Sequence, residues 1–114
     1  MASVEKISEN YPEPVDADTM VGQAETASNF MKALSHEGRL MILCYLCSRE
    51  RSVTELEQLL SSRQAAVSQQ LSRLRNEGLV TCRREGKTMY YALSDPKARK
   101  MIDLVYTMFC GGRS

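Results

Sequence analysis

Residues 63–78 read RQAAVSQQLSRLRNEG, and the fold follows from how that stretch is arranged. At about 100° per residue, Val67, Leu71 and Leu74 stack on one face of a helix. Ser68, Gln69, Ser72 and Asn76 look the other way, with Arg73 and Arg75 on the flanks. Exposed helix faces usually carry Glu and Lys. Here short hydroxyls and amides sit between guanidiniums, the side chains that hydrogen-bond base edges and phosphates in a DNA groove. Gly78 supplies the C-terminal stop. The stretch therefore has the make-up of a helix laid in a nucleic-acid groove.

Upstream, Ser52-Val53-Thr54-Glu55 has the form of a capping box that opens a short helix through about Leu60, with Leu56, Leu59 and Leu60 inward. Ser61-Ser62 then turns tightly into the quoted stretch, giving a helix-turn-helix. Downstream, residues 79–84 and 87–93 read as two strands around Glu85-Gly86, with Met89, Tyr91 and Leu93 alternating against Thr88, Tyr90 and Ala92. Arg83, Arg84 and Lys87 gather at the hairpin tip, which makes it a basic wing able to lie on phosphates or enter a minor groove.

Two further helices precede this unit. One starts near Asp18, with Val21, Ala24, Ala27, Met31 and Leu34 at helical spacing. The other covers about residues 39–47 and is apolar all round, as a central core helix would be. A last helix begins at Ser94-Asp95-Pro96, with Pro96 at its first position. Met101, Leu104, Val105 and Met108 form one stripe of it, while Ile102, Tyr106, Phe109 and Cys110 lie towards the other side. Such a helix needs two apolar partners: with the first helix it is expected to make a two-fold dimer interface, the alternative being that both stripes close one small core. The Met residues on these stripes read as core or interface.

The chain of 114 residues is one domain. Its net charge of +1 conceals an asymmetry. Residues 1–37 set Lys6 and Lys32 against Glu5, Glu9, Glu13, Asp16, Asp18, Glu25 and Glu37; residues 63–90 set Arg63, Arg73, Arg75, Arg83, Arg84 and Lys87 against Glu77 and Glu85. A basic surface beside an acidic arm points to an anionic partner. The expected organisation is a flexible acidic arm over residues 1–18, a winged helix-turn-helix over 19–110 and a tail over 111–114. No apolar run approaches a membrane span and no secretory signal is visible, so the expected location is the cytoplasm. The four cysteines, Cys44, Cys47, Cys82 and Cys110, are then expected as thiols.

The words ALSHEGRLMILCYL and QAAVSQQLSRLRNEGLVTCRREGKTMYYAL resemble the ArsR/SmtB-type winged-helix repressors, over roughly residues 22–110. Ser62-Arg63 departs from the Leu-Ser that many relatives carry before the groove helix. The resemblance implies a mainly α fold with a small β-hairpin, a homodimer through the first and last helices, and repression from an inverted-repeat operator in double-stranded DNA. It carries base or nearby phosphate contacts onto Gln64, Ser68, Gln69 and Ser72, and backbone or minor-groove contacts onto Arg73, Arg83, Arg84 and Lys87.

The resemblance also bears on the signal. Two familiar zinc sites of the family are missing their ligands: SVTELEQLL has no cysteine and DPKARKMIDLVYTMFC has no histidine. His36, the chain's one histidine, reads as a capping or structural residue. Cys44 at the end of RLMILC and Cys110 at the end of VYTMFC resemble the thiol-responsive branch, which implies a sensing dithiol bridged by persulfides or polysulfides. A direct disulfide needs Cα atoms roughly 4.4–6.8 Å apart; inserted sulfur atoms relax that limit. Cys47 reads as packing or an accessory thiol and Cys82 as buried in the first wing strand. Four alternatives stay open: a zinc, cadmium or arsenic sensor using Cys44, Cys47 or Cys110 with Asp103; a general oxidant sensor closing a disulfide; a thiol oxidoreductase using Cys44-x-x-Cys47; and a constitutive DNA-binding protein with inert thiols. The favoured reading needs no cofactor, no resident metal and no catalysis.

Overall fold

A computed structural model describes residues 13, 16–61 and 64–111, and the side chains of all of these except 64 and 65. Helix α1 spans Ala17–Leu34, and Asp16 caps it by accepting the Thr19 amide at 2.9 Å. The helix thus starts inside the stretch assigned to the arm. Most of residues 1–18, and residues 112–114 of the tail, lie outside the described residues. Helix α2 spans Glu37–Ser48, and His36 caps it by accepting the Gly38 amide on Nδ1 at 3.0 Å. The lone histidine is therefore a cap, as its place before an apolar run implied.

Strand β1 (Arg51–Ser52) leads directly into helix α3 (Val53–Leu60). Ser52 Oγ accepts the Glu55 amide at 3.1 Å, so the expected N-cap is present. The described hydrogen bonds of the Glu55 carboxylate, however, run to Arg49 and to Arg51 (2.8 Å) rather than back to Ser52. Two guanidiniums outcompete a neutral amide for a carboxylate because charge-assisted bonds are the stronger ones. Burial works against that charge, but the two arginines outweigh it and hold Glu55 below its usual range. Ser61, in a left-handed conformation at φ 52°, ends the helix. The expected turn into the next helix falls partly on residues 62 and 63, outside the described residues.

Helix α4 spans Gln64–Asn76, and Gly78 (φ +78°) turns the chain away from it. Strands β2 (Val80–Glu85) and β3 (Thr88–Leu93) pair antiparallel from Val80↔Leu93 to Glu85↔Thr88, with Gly86 (φ +65°) in the connecting turn. The sheet has three strands in the order β1-β3-β2, because Arg51 and Ser52 pair with Tyr91 and Tyr90. The hairpin expected from the sequence is there, but a third strand too short to show periodicity joins it. Strand β3 is half-covered at every position, so its alternation does not separate a buried from an open face. Helix α5 spans Pro96–Cys110, capped by Asp95 and ended at Gly111.

The core is one cluster. Ile42, Leu43 and Leu46 of α2, Leu56 of α3, and Val67, Leu71 and Leu74 of α4 meet Leu79, Val80, Ala98 and Ile102. Each fully buried aliphatic side chain contributes about 1.5–3 kcal/mol. Helix α2 is central, yet Met41 and Cys44 are exposed, so it is not covered all round. Leu59, expected inward, is also exposed, because α3 turns Val53, Leu56 and Leu60 to the core instead. Helix α1 reaches the core through Ala33, Leu34 and Phe30, leaving Met20, Val21 and Met31 outside. Helix α5 does so through Ala98, Met101 and Ile102, leaving Leu104, Met108 and Phe109 outside. No helix among the described residues is long and apolar enough to cross a membrane.

Candidate nucleic-acid interface and exposed thiols

Burial of Val67, Leu71 and Leu74, each 1% exposed or less, fixes the rotation of α4. With that face locked, Ser68, Gln69, Ser72, Arg73, Arg75 and Asn76 are all exposed. Gln64, the remaining expected contact on this helix, has no described side chain. Arg73 makes a loose i,i+4 ion pair with Glu77 (3.3 Å), an exposed contact of the kind worth under about 1 kcal/mol and easily exchanged for a phosphate. Arg75, on the flank of the helix, is exposed too.

A polar side chain that the sequence does not single out ties α4 to the end of α1. Arg39 of α2 donates from Nη1 to Gln70 Oε1 (3.1 Å), from Nε to the Ala33 carbonyl (2.6 Å) and from Nη2 to the Lys32 carbonyl (3.2 Å). One guanidinium thus joins the carbonyl end of α1 to the groove helix, where a cation also meets the negative end of the helix dipole. The available signal is a lone arginine directly before the apolar run of α2.

The wing stands beside α4. Val53, Thr54, Ser68, Lys87, Thr88, Met89 and Tyr91 line a concavity of about 260 Å³ between α3, α4 and the hairpin. Ser68 and Lys87, chosen from separate motifs, thus border the same groove. Arg84 is paired with Met89 in register, on the same face, and both Arg84 and Lys87 are exposed. None of the described ion pairs engages either one.

Arg83 is placed differently. It is paired with Tyr90 on the opposite face of the sheet, its Cζ 4.7 Å from the centre of the Tyr90 ring. Its Nε and Nη2 donate to the two Glu50 carboxylate oxygens at 2.8 Å each, and its Nη1 reaches Glu85 at 3.4 Å. The bidentate contact with Arg83 holds Glu50 below the usual carboxylate range. Nothing local in the sequence links residues 50 and 83.

No described cysteine is in a disulfide. Cys44 and Cys110 are both exposed, on helices α2 and α5, which pack directly together; Arg99 of α5 donates to the Cys47 carbonyl at 2.6 Å across that contact. Cys47 is buried in the core cluster, so the Cys44-x-x-Cys47 pair has one thiol inside and one outside. Cys82 is half-buried rather than buried, because it lies opposite Tyr91 near the mouth of the groove. Burial and the hydrogen-bonded Cys82 thiol push the Tyr91 hydroxyl up.

Comparison with known proteins agrees with this geometry. The family described as bacterial regulatory protein, arsR family, matches residues 36–81. A biofilm growth-associated repressor of Xylella fastidiosa is 38% identical over 107 residues, 94% of each chain. The transcriptional activator HlyU of Vibrio cholerae is 39% identical over 85% of this chain and 90% of its own. Among solved structures, reduced HlyU from Vibrio cholerae superposes with a TM-score of 0.79 at 40% identity, covering 82% of this chain and 98% of that one. A homodimeric winged helix-turn-helix DNA-binding domain from Mycobacterium bovis superposes with a TM-score of 0.71 at 27% identity, covering 84% and 89%.

Proposed function

The chain belongs to the ArsR family of bacterial regulatory proteins, and on that premise we propose that it is a homodimeric repressor released from its operator by reactive sulfur species. The observation that carries the DNA-binding part is the locked rotation of α4. Three aliphatic side chains in the core leave Ser68, Gln69 and Ser72 outward, with Lys87 of the wing on the same groove. Amides and hydroxyls discriminate bases in the major groove, while Arg73, Arg84 and Lys87 hold phosphates and make affinity salt-dependent. Gln64, at the start of α4, completes the set. A two-fold dimer would place two such helices about one DNA turn apart on an inverted repeat. The exposed Leu104, Met108 and Phe109 of α5, with Met20 and Val21 of α1, are the apolar surface that such a dimer would cover.

Cys44 and Cys110 are the sensing thiols in this reading. Both are open to solvent, and they stand on two helices in direct contact. Each thiolate attacks a sulfane sulfur of a persulfide or polysulfide, becoming a persulfide and releasing the shortened donor as its thiolate. The persulfide anion on one cysteine then attacks the Sγ of the other and expels hydrosulfide, leaving three sulfurs in the bridge. A bridge between α2 and α5 acts on the helix that carries the dimer surface, and so on the spacing of the two groove helices. A differential affinity of a few kcal/mol is enough to empty an operator. The test is titration of operator DNA, selected by this protein from random duplexes, with reduced and with polysulfide-treated protein. Release that follows sulfur incorporation at Cys44 and Cys110 supports the proposal, and release without it refutes the thiol assignment.

A further inference from the structure

We propose that the Glu50–Arg83 pair is a clamp that sets the position of the wing, so that Arg83 serves DNA binding as a positioning residue and not as a phosphate contact. The inference rests on the DNA-binding reading above but not on the thiol chemistry.

The geometry is a strap across three strands. Arg83 belongs to β2, one edge of the sheet, and Glu50 directly precedes β1, the other edge. Between them lies Tyr90 of β3, and the guanidinium passes over its ring to reach both carboxylate oxygens at 2.8 Å. Planar two-point pairing of this kind fixes direction as well as distance. The Tyr90 face adds a cation–π contact that a flexible surface pair would lack. Strand alternation then decides which face is used. Met89 and Tyr91 line the groove with Ser68 and Lys87, so Tyr90 and Arg83 are on the sheet's other side. Arg84 and Lys87 stay on or near the groove, while Arg83 is turned from it, with one face on the Tyr90 ring, its nitrogens engaged by Glu50 and Glu85, and half of the side chain still exposed.

Position also matters. Glu50 sits at the corner where α2 ends, and the same corner is tied inward. Arg51 donates to the Tyr45 carbonyl (2.9 Å), to Ser48 Oγ (2.8 Å) and to Glu55 (2.8 Å). The clamp therefore fastens the outer wing strand to a braced corner of the core.

An acidic side chain gives the test an unambiguous sign. Glu50 repels phosphate, so Glu50→Gln should tighten DNA binding if Glu50 only withholds Arg83 from the backbone. If the pair positions the wing, the same substitution weakens binding despite removing a negative charge. Affinity is measured for wild-type, Glu50→Gln, Arg83→Gln and the double variant on operator DNA selected by the wild-type protein. A second duplex is trimmed of the flanks that the wings reach. The expected result is a three- to tenfold loss for each single variant on the full operator, no further loss in the double, and little change on the trimmed duplex. Arg83→Lys, which keeps the charge without the planar fork, should recover part of the loss. Tighter binding by Glu50→Gln, or a loss confined to Arg83→Gln with the salt dependence reduced by about one phosphate, overturns the proposal. So does an equal loss on both duplexes, which would mark a general structural defect. Absence of wild-type binding to any selected DNA would instead refute the DNA-binding reading itself.

Discussion

Among single residues, the groove helix divides into side chains that specify and side chains that hold. Gln69 is exposed on the face opposite Leu71 and can meet base edges, whereas Lys87 at the groove rim is suited to a phosphate. The two should fail differently. Gln69→Ala is expected to cost about 1–3 kcal/mol on the preferred operator and to relax discrimination at one position, with the salt dependence unchanged. Lys87→Gln should weaken binding to all duplexes alike and lower the salt slope by about one. Competition titrations over a range of salt separate these outcomes, and identical behaviour of the two variants would contradict the assignment. Much of this was legible beforehand, because Val67, Leu71 and Leu74 fix the helix phase by spacing alone. The opposed placements of Arg83 and Arg84 were not. Adjacent residues in a strand point to opposite faces, but which face meets the groove depends on α4 and α3, which are remote in sequence.

At the scale of elements, local signals were read well and long-range ones were not. His36, Ser52 and Asp95 each stand at the helix start that their local sequence indicates, and each caps a helix. The turn glycines Gly78, Gly86 and Gly111 take the positive φ values that favour glycine. Strand β1 escaped notice because two residues have no period, and it exists only because β3 offers an edge. Likewise Glu55 was expected to close a capping box, but Arg49 and Arg51, drawn in by the corner after α2, take its carboxylate. The cap therefore rests on the Ser52 hydroxyl. Ser52→Ala should lower unfolding stability by about 1 kcal/mol, read as a shift of the denaturant midpoint at constant slope. A negligible shift would show that the arginine–glutamate brace holds α3 without its cap.

At the scale of the whole molecule, the chain leaves a broad apolar surface open. Phe109 is 79% exposed and Leu104 and Met108 more than half, all on α5, while α1 leaves Val21 two-thirds exposed. Exposed apolar surface of this extent marks an interaction site, and the proposed dimer would cover it. The sequence divides the apolar residues of α5 into two stripes, but the core takes Met101 from one and Ile102 from the other, together with Ala98, and leaves Leu104, Met108 and Phe109 outside. The sequence could not reveal Arg39, whose bonds to the end of α1 and to Gln70 join the surface helix to the groove helix. Met108→Glu should convert a dimer to monomers in sedimentation and reduce operator affinity by at least tenfold, since half-sites then bind singly. A Met108→Glu protein that remains dimeric and binds normally would place the subunit contact elsewhere.

The claim that joins these scales is that Cys44 and Cys110 decide when the groove helices sit on DNA. Its most direct test is operator affinity and intact mass measured on the same samples, for wild-type, Cys44→Ser and Cys110→Ser, before and after polysulfide. The account predicts equal affinity for all three when reduced. After treatment the wild-type alone should lose its operator, with a sulfur-containing bridge mapped between the two cysteines. A Cys44→Ser or Cys110→Ser variant that is released as readily as the wild-type, or a bridged wild-type that stays bound, would contradict it.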